Sequence, residues 1–302
     1  MAAYNGERFI VEAVESVLAQ GFADFELIIS DDGSTDGTVD LARSLADRDP
    51  QRIRLLTGHH NQGKPFALNR ALAVRRGALI AWLDQDDVML PGKLERQVRT
   101  LDASPAAAGC THDAEIFDSP SGRTIGSFSA VMNGAPLRSG GVELWFDPTY
   151  KMLPSATMIR ASASPPGGFD ERLIYSSERL FDIEVFRHGR CVAIDDVLVR
   201  YRRHDDNFTN RGERSGLAYE EGLLTMEIVR ERYPELARGA RSISTAIHLG
   251  EARRCAAARD WHTAARNLAR AYRSGGVRGA AAVAGAVARS AARRRAAGHS
   301  RR

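Results

Sequence analysis

The chain has 302 residues, 43% hydrophobic and 26% charged, ordinary proportions for a soluble globular protein with ample length for a well-buried core. The formal net charge of +4 is unevenly held: after Asp260 there are ten arginines and no acidic residue, which leaves 32 basic residues against 38 acidic in the rest of the chain. The basic character therefore belongs to a C-terminal tail and gives no support for nucleic-acid binding by the folded part. No apolar stretch reaches membrane-span length, and no secretory leader is expected. Cys110, Cys191 and Cys255 are too few and too scattered for a zinc site or a disulfide framework, which fits a reducing, cytoplasmic compartment.

Taken in order, residues 7–20 place Phe9, Ile10, Ala13, Val14, Val17 and Leu18 on one helical face. Phe25–Ser30 reads as a strand. Asp31–Thr38 is a polar turn into a helix with Val39, Leu41, Ala42 and Leu45 inward. Arg52–Thr57 is a second strand, and Gly63-Lys64 opens a helix through Leu72. Residues 78–83 form a buried strand ending in Asp84-Gln85-Asp86-Asp87, and Pro91 suits the first turn of the next helix. Further strands are predicted at Ala108–Phe117, at Met152–Arg160 and, interrupted by Asp195-Asp196, at Cys191–Arg200. Phe169–Arg187 is helical in its second half. From Ser215 to Ser274 the pattern is helical, with Ala246–Ala257 and His262–Tyr272 as an antiparallel pair.

This alternation predicts a mostly parallel α/β sheet with helices on both faces. Ligands of such sheets bind beyond the carboxyl ends of the strands. Asp31/Asp32, Asn61–Lys64 and Asp84–Asp87 are thereby expected at one rim. Strand alternation would send Asp84 and Asp86 to the same side and Asp87 to the other. Two carboxylates that close call for a cation, and a magnesium-type ion completes its shell with water and substrate phosphates.

Two decoys fall away. Asp32–Gly37 imitates the start of a calcium loop, but Arg43 stands where a bidentate glutamate would close it. Gly58–Lys64 nearly matches a phosphate loop, but Pro65 replaces the magnesium-binding hydroxyl and removes a backbone donor. Lys64 and the amides at that helix start can still face a phosphate.

Tyr4-Asn5-Gly6, Ser16–Gln20, Phe25–Thr38, Asn61-Gln62-Gly63, Ala67-Leu68-Asn69 and Leu83–Asp87, as an ordered set over about residues 1–210, closely resemble the family 2 glycosyltransferases of GT-A fold. The resemblance implies a Rossmann-like GT-A sheet, a nucleotide-sugar donor, a divalent metal (Mg or Mn) and inverting transfer to an acceptor hydroxyl. By that match Tyr4 and Asp32 hold the base, Asp84 the ribose side and Asp86 the metal. In Tyr201-Arg202-Arg203-His204, His204 helps hold metal or diphosphate. Lys64 or Arg202 adds charge near the diphosphate, and Gly167–Glu171 resembles the loop before the catalytic helix.

Two departures stand out. The family opens with a buried strand before Tyr-Asn, and here only Met1-Ala2-Ala3 precede Tyr4. The strand is expected as a stub, with a start assigned too late as the hypothesis. The family's Glu-Asp at the catalytic helix is replaced by Ser177-Glu178-Arg179-Leu180-Phe181-Asp182. Asp182 is favoured as base, with Glu178 second. The expected organisation is a GT-A domain over 1–212, donor side about 1–110 and acceptor side about 111–212. A helical region over 213–274 and a disordered basic tail over 275–302 complete it. The setting is cytoplasmic polysaccharide or glycoconjugate synthesis, the acceptor being a glycan, lipid-linked sugar or protein, with peripheral contact of the inner membrane face through the tail. The competing readings are an inactive sugar-nucleotide-binding relative, a P-loop-like hydrolase and a sugar-1-phosphate nucleotidyltransferase, the last lacking its Gly-rich, Arg-containing loop.

Overall fold

Strand β2 (Leu27–Asp31) is buried at every position, as a strand covered on both faces must be. In a computed structural model, which describes residues 1–205 and 207–275, it forms the middle of a three-stranded parallel sheet with β1 (Ala2–Ala3) and β3 (Ile53–Thr57). The expected stub is thus present: Ala2 pairs with Ser30 and Ala3 with Asp31. Helix α1 (Ile10–Leu18) buries Ile10, Ala13, Val14 and Val17, and α2 (Thr38–Arg48) buries Ala42 and Leu45. Helix α3 (Lys64–Val74) follows Gly63, whose φ of 107° suits glycine; a Cβ there would stand 2.5 Å from Ile174 Cδ1.

The second sheet has six strands: β4 (Leu79–Ala81), β5 (Val88–Met89), β6 (Ala107–Asp118), β7 (Thr124–Ser127), β8 (Thr157–Arg160) and β9 (Arg190–Arg203). Only the β6–β9 pairing is parallel. The predicted interruption at Asp195-Asp196 is a bulge in one long strand: His112 faces Ile194 and Asp113 faces Val197, so both aspartates are looped out of register. The predicted strand 78–83 stops at Ala81. Pro91 lies ahead of α4 (Lys93–Asp102) rather than inside its first turn, because left-handed Gly92 is the N-cap. Helix α5 (Ser177–Phe186) turns Leu180, Phe181, Ile183, Val185 and Phe186 inward. The three cysteines are buried and free.

The chain divides into two compact units, one of Met1–Trp145 with Thr149–Arg211, the other of Phe146–Pro148 with the chain from Gly212 on. Helix α6 (Phe208–Ser215) carries the chain from the first into the second. The second unit contains α7 (Leu217–Arg232), α8 (Ala237–Ala257) and a helix at residues 261–275. Tyr219 Oη meets His248 Nδ1 at 2.9 Å and donates to Asn267 Oδ1 at 2.9 Å, tying the three helices with a polar node, and the unit buries Met226, Val229, Leu249 and Ala271. The expected disorder of the tail concerns, past Gly275, residues outside those described. Among the described residues no helix is long and apolar enough to cross a membrane.

Candidate active site

The loop after β2 is built from short-range carboxylate contacts. Asp31 Oδ2 accepts from the Gly33 and Ser34 amides at 3.0 Å each, and Asp36 Oδ1 accepts from the Thr38 amide at 3.0 Å. Gly33 has φ of 77°, and a Cβ there would meet the His60 backbone at 2.6 Å. That close approach brings the loops after β2 and β3 together. Asp32, 3% exposed, is the hinge between them: its Oδ2 accepts from Gln62 N at 3.1 Å and Gly63 N at 2.6 Å. Its Oδ1 is buried, and no donor among the described residues reaches it. Burial lifts its pKa above the ordinary carboxylate range, against the pull of those two amides. Tyr4 stands nearby, its amide and carbonyl paired with the Gln85 side chain at 2.9 and 3.0 Å.

The acidic cluster departs from strand alternation. Because β4 ends at Ala81, Asp84–Asp87 form a turn closed by Asp87 N donating to Asp84 O at 3.1 Å. Each carboxylate then finds a different partner. Asp84 Oδ1 takes Lys64 Nζ at 2.8 Å. Asp86 Oδ2 takes His204 Nε2 at 2.9 Å and Asn207 Nδ2 at 3.3 Å. Asp87 is buried completely and accepts from Arg202 N at 3.1 Å. Burial drives its pKa well above the usual range, and the charges of Asp86 and Asp84 add to that. Burial also raises Asp84, with Lys64 opposing and Asp86 adding.

The Asp86 carboxylate and the His204 imidazole nitrogen converge from two separate strand ends. A carboxylate oxygen and an imidazole nitrogen form a mixed donor pair suited to a hard or borderline divalent ion that takes its remaining ligands from water and diphosphate. No group of three or more His, Cys, Asp or Glu with metal-binding geometry occurs among the described residues. A complete cage made by the protein alone is therefore absent there, and the pair fits an ion shared with a phosphate ligand.

A cleft opens beside this turn, lined by Lys64, Trp82, Asp84, Phe169, Glu178 and Asp182 among others. Lys64 Nζ sits between Asp84 Oδ1 and Glu178 Oε1, 2.8 Å from each, and 5.6 Å from the Phe208 ring centroid. Burial alone would lower its pKa, but the two carboxylates overcome burial and raise it, so the ammonium is fully charged. One helical turn beyond Glu178, Asp182 accepts from Trp145 Nε1 at 3.2 Å. Burial pushes the Asp182 carboxyl up to about 7, with the Trp145 bond opposing and the Glu178 charge adding.

Most of the predicted residues are thus gathered in the first unit, but two sit differently from expectation. Arg202 is expected to face the donor. Instead its guanidinium is spent on Glu12 and on Asp86 O, the latter at 2.8 Å, and it lies 4.9 Å from the Phe9 ring centroid. It is 7% exposed, so it braces the acidic turn from behind. Lys64, expected to add charge near the diphosphate, is engaged with two carboxylates beside the cleft.

Sequence reasoning assigned no role to several residues that build the site. Asn69 brackets Phe169, donating to its carbonyl at 2.9 Å and accepting from its amide at 2.8 Å, which pins the Gly167–Glu171 loop. Asn207 accepts from His204 N at 2.7 Å and donates to Arg202 O at 3.0 Å. Trp145 and Glu12 carried no signal: their partners lie 37 and 190 positions away.

The sequence profile of Glycosyl transferase family 2 matches residues 1–162. The chain belongs to this family. Over 115 residues it is 39% identical to an uncharacterised glycosyltransferase of Nostoc, spanning 38% of this chain and 35% of that protein. Over 101 residues it is 40% identical to the Escherichia coli UDP-Glc:α-D-GlcNAc-diphosphoundecaprenol β-1,3-glucosyltransferase WfgD, spanning 33% and 39%. Over 130 residues it is 37% identical to the succinoglycan biosynthesis protein ExoO of Rhizobium meliloti, spanning 43% and 36%. These matches cover well under half of each relative's length. Among solved structures, Staphylococcus aureus TarS 1–349 superposes with a TM-score of 0.67 at 17% identity over 93% of this chain and 81% of that one. The Pyrobaculum calidifontis mannosyltransferase PcManGT, in complex with GDP-Man and Mn2+, gives 0.62 at 19% identity over 95% and 78%. The fold is GT-A.

Proposed function

We propose that this chain transfers a sugar from a nucleoside-diphosphate sugar to an acceptor hydroxyl with inversion, assisted by a divalent metal, in the synthesis of a cell-surface polysaccharide or glycoconjugate. The observation that carries the reading is the convergence, in the first unit, of an acceptor oxygen for a base (Asp32 Oδ1), a metal-ligand pair (Asp86, His204) and a cleft with two carboxylates on one helix face (Glu178, Asp182). The relatives bear on the setting: WfgD is named for a UDP-glucose donor and a diphosphoundecaprenol-linked acceptor, and ExoO for succinoglycan biosynthesis.

Asp32 Oδ1 accepts a ring N–H of the base, whose arrival satisfies an otherwise orphaned buried oxygen, and Tyr4 packs at the same edge. Asp84 holds the ribose side. Asp86 and His204 would hold the ion (Mg or Mn), which when bound would supply positive charge to the departing diphosphate. Asp182 takes the acceptor hydroxyl proton as the new C–O bond forms and the bond to the diphosphate breaks. A carboxyl near pKa 7 is ionised for part of the population at neutral pH and still basic enough to take that proton. Lys64 keeps its charge beside the leaving group, and Arg202 positions Asp86 through its carbonyl.

Glu178 is the second candidate for base, favoured by its single-residue link through Lys64 to Asp84, which brings it nearest the donor side. The domain reading follows: residues 1–212 as the transferase, donor side first, and 213–274 as a helical appendage. The enzyme works on the cytoplasmic side, peripheral to the inner face of the membrane.

The test is a screen of UDP-, GDP- and dTDP-sugars for metal-dependent release of nucleoside diphosphate. One donor class turning over with Mn2+ or Mg2+ and falling silent in EDTA is the expected result. Binding without any turnover, acceptor mixtures included, would mark an inactive relative.

A further inference from the structure

The helix at residues 261–275 buries one side and leaves the other with two chemistries side by side. Ala264, Asn267 and Ala271 are 5%, 2% and 0% exposed. At about 100° per residue, Trp261, Tyr272 and Ala265 fall on one outward arc. His262, Arg273, Arg266 and Arg270 fill the adjoining arc. Trp261 is 53% and Tyr272 57% exposed, the two most exposed aromatics among the described residues. Asp260 at the helix start faces His262 and Arg266, Arg270 reaches back to Tyr219 and Asn267, and no further acidic residue follows in the sequence.

An aromatic strip bordered by arginines on one rigid helix has the composition of an interfacial membrane surface. Trp and Tyr rings settle at headgroup depth, while arginine stems lie along the apolar boundary with their guanidinium groups on phosphate. We propose that this face docks the protein on an anionic lipid bilayer. Charge complementarity selects that occupant. Residues 276–302 carry seven more arginines and no acid, so their composition adds to the attraction for an anionic sheet. The inference rests on the second unit alone and stands whether or not the transfer chemistry is as proposed.

The experiment mixes the full-length protein with vesicles of phosphatidylcholine alone or with about a third phosphatidylglycerol. Sedimentation and tryptophan emission are read together. The expected result is partition roughly tenfold or more stronger onto the anionic vesicles, weakened by salt. Brominated acyl chains should quench Trp261, a signal lost in Trp261→Phe because Trp145 is buried and Trp82 lines the cleft. The pairs Trp261→Ala with Tyr272→Ala, and Arg266→Glu with Arg273→Glu, should each lower partition about tenfold while melting temperature and donor turnover in solution stay at wild-type values. No binding to anionic vesicles overturns the proposal. So does binding that both pairs leave intact, since residues 276–302 would then carry it alone. Equal capture by a soluble polyanion without Trp261 quenching, or a change of oligomeric state in place of vesicle binding, overturns it too.

Discussion

The loop after β2 and the face of α5 hold their carboxylates in opposite ways. Asp31, Asp32 and Asp36 are each tied to backbone amides, most only a few residues away. Glu178 and Asp182 depend on side chains brought from far off, Lys64 and Trp145. Backbone amides are fixed dipoles that cannot leave, which suits the loop to the base-binding role proposed for it. Side-chain partners can be exchanged when substrate arrives, and a carboxyl held by one indole N–H in a buried setting keeps a pKa high enough to trade protons. On the proposed reading, the contrast separates a part of the site that binds from a part that reacts.

The largest effect expected from breaking this contrast is at the acidic turn. Asp86→Ala should lower turnover by about a thousandfold or more, measured as nucleoside diphosphate released under saturating metal, with the fold intact by circular dichroism. On the reactive side, Asp182→Asn should cost about a hundred- to ten-thousandfold. The wild-type rate should rise through an acid limb centred on the Asp182 pKa of about 7. If Glu178 is the base, Glu178→Gln carries the larger loss and the limb survives in Asp182→Asn. The linkage has a definite sign. The raised pKa means the folded state holds this proton more tightly than the unfolded chain, so stability declines as pH rises from the ordinary carboxylate range to about 7. Asp182→Asn should therefore gain melting temperature over wild type at pH 8 and lose most of that gain at pH 5.

Lys64→Met tests the bridge between the two regions. It leaves Asp84 and Glu178 facing each other across a buried gap, with a stability loss on the order of 3–5 kcal/mol, read by denaturant unfolding, unless added divalent cation restores it. The smallest effects are local. Asn69→Ala should cost about 1–3 kcal/mol by unpairing the Phe169 amide and carbonyl. Trp145→Phe should move the acid limb upward by less than about one pH unit, since it removes the one contact that lowers the Asp182 pKa by hydrogen bonding.

The same contrast explains what could be read from the sequence. Asp31–Thr38 is legible because the Asp31 and Asp36 carboxylates bond amides two or three residues on and Gly33 sits where the chain needs positive φ, and α1 and α3 are legible from their apolar spacing. The fate of Asp84–Asp87 was half legible. The cluster announced itself, but where β4 stops depends on its pairing with Met158–Arg160, and that is a tertiary fact. In the sequence Arg202 and Lys64 look like cations awaiting a phosphate, because the carboxylates that pair with them, Glu12 at one and Asp84 with Glu178 at the other, lie far away along the chain. The β9 aspartates looked like a strand break and are a bulge, since only the β6 register distinguishes the two.

The most direct measurement is the melting temperature of wild type and Asp86→Ala with each nucleotide sugar, in Mn2+ and in EDTA. A donor at a hundred times its Kd adds about 2.7 kcal/mol, a rise of several degrees. The account predicts that rise for one nucleotide class in wild type with metal, and its loss in EDTA or in Asp86→Ala. An equal rise in all four conditions, or none with any donor, would contradict it.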